Sequence, residues 1–233
     1  MSTTNRARRE VRPTDQLPEG ATSPDAKPRV TFTARRRGKA PRHLADFDQK
    51  ERKEFVSEAG LPSFRADQLS RHYFERHISN PALMTDMPKS AHDLIESTLL
   101  PPLVREVAVL EADGGETLKH LWELYDGARV ESVLMRYSDR TTLCISSQAG
   151  CGMGCPFCAT GQMGLTRNLS TAEIIDQVRA AHQACEEGQV GGSPTHLSNA
   201  VFMGMGEPLA NYKAVLGTIR TLIAPVPKGF GMS

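Results

Sequence analysis

Three cysteines lie within eight residues near the middle of this chain, and they constrain its fold and chemistry more than any other feature. Cys151, Cys155 and Cys158 form a C-x3-C-x2-C pattern, and Gly152 and Gly154 loosen the backbone between them. Thiolates bind soft metals and iron–sulfur clusters. The loop supplies three ligands, whereas a closed cluster or a structural zinc site requires four. The spacing therefore favours an iron–sulfur cluster with one open iron atom, which can bind a substrate or cofactor.

The alternative for these cysteines is a zinc site completed by one histidine. His182 and His196 are the candidates, but both lie too far along the chain for the regular spacing of a zinc finger. A disulfide scaffold is not indicated, because the five cysteines are clustered and no apolar secretion signal opens the sequence. Clustered cysteines without such a signal predict a metal or redox site in a cytoplasmic protein.

Charge is divided unevenly along the chain, although the net charge is only +1. Residues 1–45 carry eleven Lys and Arg against four Asp and Glu, with one aromatic residue. Such a segment buries too little apolar surface to offset the entropy of ordering, so we expect a disordered basic tail. It would either contact nucleic-acid phosphates or act as a solubilising tail. No apolar run approaches the roughly 20 residues of a membrane-spanning helix, so no membrane association is expected.

Residues 46–103 are predicted to form a small helical accessory domain. A capping box of Asp48 and Glu51 begins the first helix, and Gly60 ends it. Ser63 is expected to cap the second helix. The third helix runs from Ser90 to about Leu100 and stops before two prolines.

The sequence pattern then changes to that of strands. Residues 104–138 are predicted to form a β-hairpin extension around an Asp126-Gly127 turn, and residues 139–233 the first part of a barrel. We expect strands at 104–111, 117–125, 128–136, 141–147 and 199–203.

Two helices are expected to alternate with the last strands. Ser170 and Glu173 form a capping box for one of them, and Asn211 is expected to cap the other. Alternating strands and helices are typical of parallel βαβ units, whose functional loops lie at the carboxyl ends of the strands. The sequence therefore predicts an α/β fold with its chemistry at one edge of the sheet.

A Gly-rich turn with one carboxylate follows the last predicted strand, in the segment Met203-Gly204-Met205-Gly206-Glu207. Glycines let backbone groups approach a ligand closely, and Glu207 can accept hydrogen bonds from an ammonium group. The segment lacks the Lys-Ser/Thr pair of a phosphate-binding loop. Taken alone, it is better explained as a tight strand-to-helix turn.

Together, the cysteine pattern and the Gly-Glu turn at consecutive strand ends resemble the radical S-adenosylmethionine (SAM) superfamily. More closely, the sequence is similar to the adenine carbon-2 RNA methyltransferases of the RlmN type. The resemblance covers roughly residues 48–233 and is carried by four segments: Arg129–Val133, Thr142–Cys151, Cys155–Gly161 and Phe202–Leu209. It implies an α/β fold with a partial (β/α) radical-SAM barrel, truncated after about two βα units. The helical accessory domain and the β-hairpin extension would precede the barrel.

The resemblance assigns a cofactor role to five residues. Cys151, Cys155 and Cys158 would ligate one 4Fe-4S cluster. Gly206 and Glu207 would contact SAM.

The resemblance also assigns catalytic roles to two residues. Glu131 would be the general base, and Cys144 would help to release the RNA from a covalent adduct. Without the resemblance, Glu131 would be interpreted as a solvent-facing carboxylate and Cys144 as a core thiol. Cys185 matches no family residue and is expected to pack in the core.

The activity implied by the resemblance is methylation of carbon 2 of an adenine in large-subunit (23S) ribosomal RNA, with a transfer RNA adenosine as a second candidate substrate. A reduced flavodoxin or ferredoxin would donate the electron to a cytoplasmic, monomeric enzyme. The family's methyl-carrying cysteine near the carboxyl terminus has no match here, so the chain is expected to be an amino-terminal fragment that does not transfer methyl groups by itself. The alternatives are carbon-8 methylation and a non-catalytic, zinc-stabilised RNA-binding module.

The basic tail gives a first testable prediction. Deletion of residues 1–45 from a full-length version of the protein should weaken RNA binding modestly and flatten its salt dependence, because fewer phosphate counterions are released on binding. The measurement is the RNA dissociation constant across a series of salt concentrations. An unchanged slope would show that the tail serves solubility instead.

Overall fold

The computed structural model describes residues 39–232, so most of the predicted basic tail lies outside the described residues. The prediction of disorder is wrong for the end of that tail. Leu44 and Ala45 are buried in the hydrophobic core, within a short 3-10 helix, Leu44–Asp46. The side chain of His43 caps this helix by accepting a hydrogen bond from the amide of Ala45 at 3.0 Å.

Short helices form the region predicted as an accessory domain. Three α-helices are interspersed with 3-10 and π-helical turns: α1 (Gln49–Glu58), α2 (Arg65–Ser70), the π-turn Arg71–Glu75, the 3-10 turns Pro81–Leu83 and Lys89–Ala91, α3 (His92–Leu94) and the π-turn Ile95–Leu99. The capping box of Asp48 and Glu51 is confirmed at the start of α1. The predicted cap at Ser63 is wrong, because its carbonyl accepts a hydrogen bond from Ala66 in a turn and the helix begins two residues later.

Two sheets follow the helical region. Their elements in chain order are β1 (Val104–Ala112), the 3-10 turn Asp113–Gly115, β2 (Thr117–Leu124), β3 (Arg129–Arg136), β4 (Thr141–Cys144), β5 (Gln148–Gly150), α4 (Ala159–Gln162), β6 (Leu165–Asn168), α5 (Thr171–Glu186), β7 (Asn199–Val201), the 3-10 turn Pro208–Asn211 and α6 (Tyr212–Ile223). The main sheet has the order β1-β2-β3-β4-β7, and β5 and β6 form a separate two-stranded ribbon. Strands β4 and β7 are parallel, while the other neighbours in the main sheet are antiparallel.

The predicted hairpin is therefore continuous with the predicted barrel strands. Gly127 has φ +75° in the turn between β2 and β3, and the amide of Ala128 donates to the carboxylate of Asp126 at 3.1 Å. The domain divisions after residues 45, 103 and 138 stay predictions, and buried residues from all three later regions share one hydrophobic core.

One face of the main sheet is buried and the other is open. On β3, Val130, Ser132 and Leu134 are buried, whereas the alternate residues Glu131 and Val133 are half-exposed. Side chains of successive residues in a strand point to opposite faces, so this alternation separates a core face from an accessible one. Any polar chemistry on the sheet must therefore take place on the face that carries Glu131.

The accessory helices attach to α5 through a buried polar cluster. Tyr73 donates a hydrogen bond from its hydroxyl to the carboxylate of Asp176 at 2.9 Å, and Arg179 donates to the same carboxylate at 2.6 Å. Burial opposes the ionisation of Asp176, but Arg179 and His43 hold its pKa below the usual value. The carboxylate therefore remains charged and joins the two parts of the chain.

Across residues 39–232, the structure has no helix that is both long and apolar enough to cross a membrane.

A second buried ion pair gives a prediction about stability. Arg167 donates two hydrogen bonds to the fully buried carboxylate of Glu173, at 2.7 and 2.8 Å. Replacing Arg167 with Met should lower the free energy of unfolding by about 3 kcal/mol, because a buried charge loses its cation. Urea denaturation measures this change.

The control is Lys50→Met, which breaks an ion pair with Glu54 whose partners are 88% and 61% exposed. Such exposed pairs contribute little to stability, so the denaturation midpoint should barely move. Equal losses in the two variants would contradict the importance of the buried pair.

Candidate functional site

Two loops meet at one edge of the main sheet because β4 and β7 are parallel. In their register, Cys144 pairs with Val201. The segments that follow the two strands therefore emerge side by side, as the carboxyl ends of parallel strands do. One segment leads into the cysteine loop, residues 151–164, and the other forms the carboxylate turn, residues 204–207.

Backbone hydrogen bonds join the two segments. The amide of Gly204 donates to the carbonyl of Ile145 at 3.0 Å, and the amide of Ser147 donates to the carbonyl of Met205 at 2.8 Å. Met205 in turn donates its amide to the hydroxyl of Ser146 at 2.9 Å. The sequence predicts a strand over 141–147, but the strand ends at Cys144. The residues that follow Cys144 bond to the carboxylate turn and do not extend the strand ladder.

Glycine is required at both predicted positions of the turn. A Cβ atom on Gly204 would lie 2.6 Å from the carbonyl oxygen of Ile145. At Gly206, which has φ +101°, it would lie 2.5 Å from the Cβ of Gln148. The two glycines therefore allow the turn to pack closely against the segment that follows β4.

The cysteine loop is held at its base by the β5–β6 ribbon. The amide of Cys151 donates to the carbonyl of Gly164 at 3.0 Å, which joins the two ends of the loop. Gly150 makes this possible, because it has φ +75° and a Cβ there would lie 2.1 Å from the same carbonyl oxygen. Within the loop, the amide of Cys158 donates to the carbonyl of Cys155 at 3.1 Å.

The three clustered thiols suit a soft metal group in their chemistry and accessibility. Cys151 is buried, Cys155 and Cys158 are half-buried, and none of them forms a disulfide. Among residues 39–232, no three His, Cys, Asp or Glu side chains converge as a formed metal site. Three free thiols on one short loop are the type of donor that an iron–sulfur cluster requires. In the structure the thiols lie along the loop and do not converge on a common point.

The structure argues against His182 as a fourth ligand. It lies eleven residues beyond the start of α5, which is about 16 Å along the helix axis. Its ring stacks on His77 and Phe230, with centroid distances of 4.3 and 5.1 Å. Burial lowers the pKa of His182 to about 3, so the imidazole is neutral. Neutral imidazole can bind a metal, so it is the position of the ring on α5, and not its charge, that argues against this role. The ring of His196 lies 6.1 Å from that of His182, in the same cluster.

Glu207 stands where the carboxylate turn enters the next helix. Its Oε1 atom accepts a hydrogen bond from the amide of Leu209 at 2.9 Å and caps the 3-10 turn before α6. Asn211 occupies the predicted N-cap position of α6, but its side chain makes no capping hydrogen bond there. The Asn211 amide group instead donates to the carbonyls of Ser147 and Leu169, at 2.8 and 2.9 Å, and so ties the strand ends together.

Glu131 and Cys144 share the open face of the sheet. Cys144 pairs with Val133, two residues from Glu131, so both side chains lie on the same face. The carboxylate of Glu131 forms an ion pair with the ammonium group of Lys119, with 2.9 Å between oxygen and nitrogen, and both side chains are 41% exposed. Burial raises the pKa of the Cys144 thiol, an effect partly offset by a hydrogen bond from the amide of Met203.

Cys185 is buried in the core, as predicted from its position on the apolar stripe of α5. Burial raises the pKa of its thiol to about 11.

Sequence reasoning missed the polar residues that hold the two loops. Gln177 accepts a hydrogen bond from the amide of Ser146 at 3.0 Å and donates to its carbonyl at 3.1 Å. Gln148 bonds through its side chain to Asn168 at the end of β6 and to the carboxylate turn. The sequence feature that could have indicated these residues is a run of polar residues directly after an apolar strand and before the first clustered cysteine: Ser146-Ser147-Gln148.

Comparisons with known proteins agree with this arrangement. Residues 42–99 match the family model described as the ribosomal RNA large subunit methyltransferase N-terminal domain. Over 204 residues, the chain is 59% identical to the probable dual-specificity RNA methyltransferase RlmN of Rhodococcus erythropolis, covering 88% of this chain and 55% of that protein. The corresponding protein of Thermobifida fusca is 57% identical over 204 residues, covering 88% and 56%.

A solved structure shows the same fold. The crystal structure of a radical SAM methyltransferase from Sphaerobacter thermophilus is similar with a TM-score of 0.76 and 38% identity, over 83% of this chain and 55% of that one. The predicted α/β fold class with a partial radical-SAM barrel is thus confirmed. The chain spans about half the length of the curated relatives that it matches.

The raised pKa of Cys144 gives a prediction about thiol reactivity. Its alkylation by iodoacetamide should reach half its maximal rate at a higher pH than that of N-acetylcysteine, because burial disfavours the reactive thiolate. Peptide mass spectrometry of the metal-free protein across a pH series measures this rate. Cys185, which is more deeply buried, should react more slowly still. Alkylation of Cys144 at the rate of the free thiol near neutral pH would contradict the prediction.

Proposed function

We propose that this chain, which belongs to the RlmN family of radical SAM RNA methyltransferases, supplies the cluster-binding and SAM-binding part of an enzyme that methylates carbon 2 of adenine. The proposed substrates are large-subunit ribosomal RNA and transfer RNA. One observation carries the proposal: the cysteine loop and the carboxylate turn start from the same edge of the sheet, because residues 145–148, which lead into the loop, are hydrogen-bonded to the turn. A group bound by the first would therefore be adjacent to a ligand held by the second.

Cys151, Cys155 and Cys158 are the proposed ligands of one 4Fe-4S cluster. The ribbon that closes their loop keeps the three residues within one short segment, and the two half-buried thiols are accessible to an incoming group. When bound, the cluster would supply the electron that cleaves SAM. A reduced flavodoxin or ferredoxin is the proposed donor of that electron.

Gly206 and Glu207 are the proposed contacts for the amino group of SAM. A carboxylate accepts hydrogen bonds from an ammonium group, and the charge on both partners strengthens such bonds. Glu207 is half-exposed, and the backbone around it is fixed by the bond from its amide to Gln148 at 2.8 Å. The carboxylate is thereby presented from a rigid turn.

Glu131 is the proposed general base, and Cys144 is the proposed group that helps to release the RNA from a covalent adduct. Lys119 orients the Glu131 carboxylate on the open face, where a substrate base can approach it. The Cys144 thiol lies on the same open face as Glu131, so both groups are accessible to one bound substrate. We further propose that the intact enzyme is a cytoplasmic monomer.

The proposed cluster is tested by replacing its ligands. After anaerobic reconstitution with iron and sulfide, the chain should bind one 4Fe-4S cluster and show its brown absorbance. Cys151→Ala, Cys155→Ala and Cys158→Ala should each lose most of the bound iron, because two remaining thiolates hold a cluster poorly. Iron and sulfide analysis together with the visible spectrum measure this loss.

Cys144→Ala and Cys185→Ala are the matched controls and should retain the iron of the unaltered chain. Loss of iron in Cys185→Ala would show that the ligand assignment is wrong. A colourless protein that contains zinc would favour the non-catalytic RNA-binding module. In the full-length enzyme, mass spectrometry of the product distinguishes 2-methyladenosine from the carbon-8 isomer.

A further inference from the structure

Gln148 stands at the base of the cysteine loop, and its side chain is bonded both to the strand that leaves the loop, β6, and to the carboxylate turn. Only 1% of the residue is exposed. Its carbonyl oxygen Oε1 accepts a hydrogen bond from the amide of Glu207 at 2.8 Å. Its Nε2 group donates to the Oδ1 atom of Asn168 at 2.7 Å. The oxygen and the nitrogen of the Gln148 side-chain amide therefore each form a hydrogen bond, the oxygen with the carboxylate turn and the nitrogen with β6.

Gln148 and its two side-chain partners belong to the three segments that define the candidate site. Gln148 is the first residue of β5, which leads into the cysteine loop, and Asn168 is the last residue of β6, which leads out of it. The two residues are also register partners in the ribbon. Glu207 belongs to the carboxylate turn. One side chain thus connects the beginning and the end of the cysteine loop with the turn.

Packing leaves little freedom at this junction. The backbone amide of Gln148 donates to the carbonyl of Met205 at 3.2 Å. Gly206 lies so close that a Cβ there would be 2.5 Å from the Cβ of Gln148 and 2.7 Å from its nitrogen. Movement of the turn relative to the loop would therefore break hydrogen bonds or create a clash.

We infer that Gln148 is a positioning residue that fixes the Gly206–Glu207 turn relative to the cysteine loop and thereby sets the affinity for SAM. This inference rests on the proposed function, in which SAM contacts both the turn and the group held by the loop. Loss of the Gln148 amide would leave the Glu207 amide without its acceptor and Asn168 without its donor. The Asn168 side chain is exposed and can bond to water, but the Glu207 amide faces the buried Gln148 side chain and would lose its acceptor. An unpaired backbone amide at such a packed junction is costly, so the turn would shift to find another acceptor.

The test uses Gln148→Met, which keeps the length and approximate volume of the side chain and removes both hydrogen bonds. The anaerobically reconstituted 233-residue chain and its variants are compared for bound iron and, by equilibrium dialysis with radiolabelled SAM, for SAM affinity. Gln148→Met should retain its iron and bind SAM about tenfold more weakly, since one well-formed hydrogen bond corresponds to roughly that factor. Gln189→Met is the control, because Gln189 is exposed and, among the described residues, its side chain bonds only to Glu187. It should bind SAM like the unaltered chain.

A second pair of variants tests the connection without altering Gln148. Asn168 is exposed, so Asn168→Asp keeps the acceptor of the Nε2 bond at little cost and should bind SAM normally. Asn168→Leu removes the acceptor and should weaken binding severalfold. If the two residues act through one bond, Gln148→Met combined with Asn168→Leu should be no weaker than Gln148→Met alone.

Several results would overturn the inference. They are unchanged SAM affinity in Gln148→Met, a loss of iron that parallels the loss of SAM binding, or additive effects in the double variant. If Gln148→Met does not fold, the comparison of Asn168→Asp with Asn168→Leu decides, and equal affinities would reject the inference. An unaltered chain that binds neither iron nor SAM would instead reject the proposed function on which the inference depends.

Discussion

The parallel pairing of β4 with β7 is the interaction on which the candidate site depends. It aligns Cys144 with Val201, so that two segments distant in the sequence leave the sheet at the same edge. Helix α5 makes this pairing possible, because a parallel connection requires a long crossover. The backbone groups freed at the strand ends then bond to each other, which holds the two segments side by side.

The main sheet is covered on one face only, so the residues of the core and the residues of the candidate site lie on opposite faces of it. Helices and apolar side chains cover one face, where Leu134 and Leu143 are fully buried. The other face keeps Glu131 and Cys144 accessible. Because neighbouring residues in a strand point to opposite faces, the same strands contribute to the core and to the candidate site. The accessory helices attach to α5, through the hydrogen bond from Tyr73 to Asp176.

The cysteine loop and the carboxylate turn are held in place by a network of buried hydrogen bonds and not by apolar packing alone. Ser146, Gln148, Gln177 and Asn211 each satisfy backbone groups of the irregular segments between strands and helices. Buried hydrogen bonds specify one geometry, since any displacement leaves a polar group without a partner. This explains how a turn and a loop without regular secondary structure keep a defined relation.

The sequence by itself determined the features that depend on local chemistry. The capping boxes at Asp48 and Ser170, the hairpin turn at Asp126-Gly127, the strand alternation and the cysteine spacing each follow from neighbouring residues, and the family motifs identified the fold class. Tertiary structure alone decided which face of the sheet is open, why β4 ends at Cys144, and that Asn211 and Gln148 tie loops together. The reason is physical: a cap or a turn is satisfied within a few residues, whereas these polar side chains find their partners only when β7 has paired with β4.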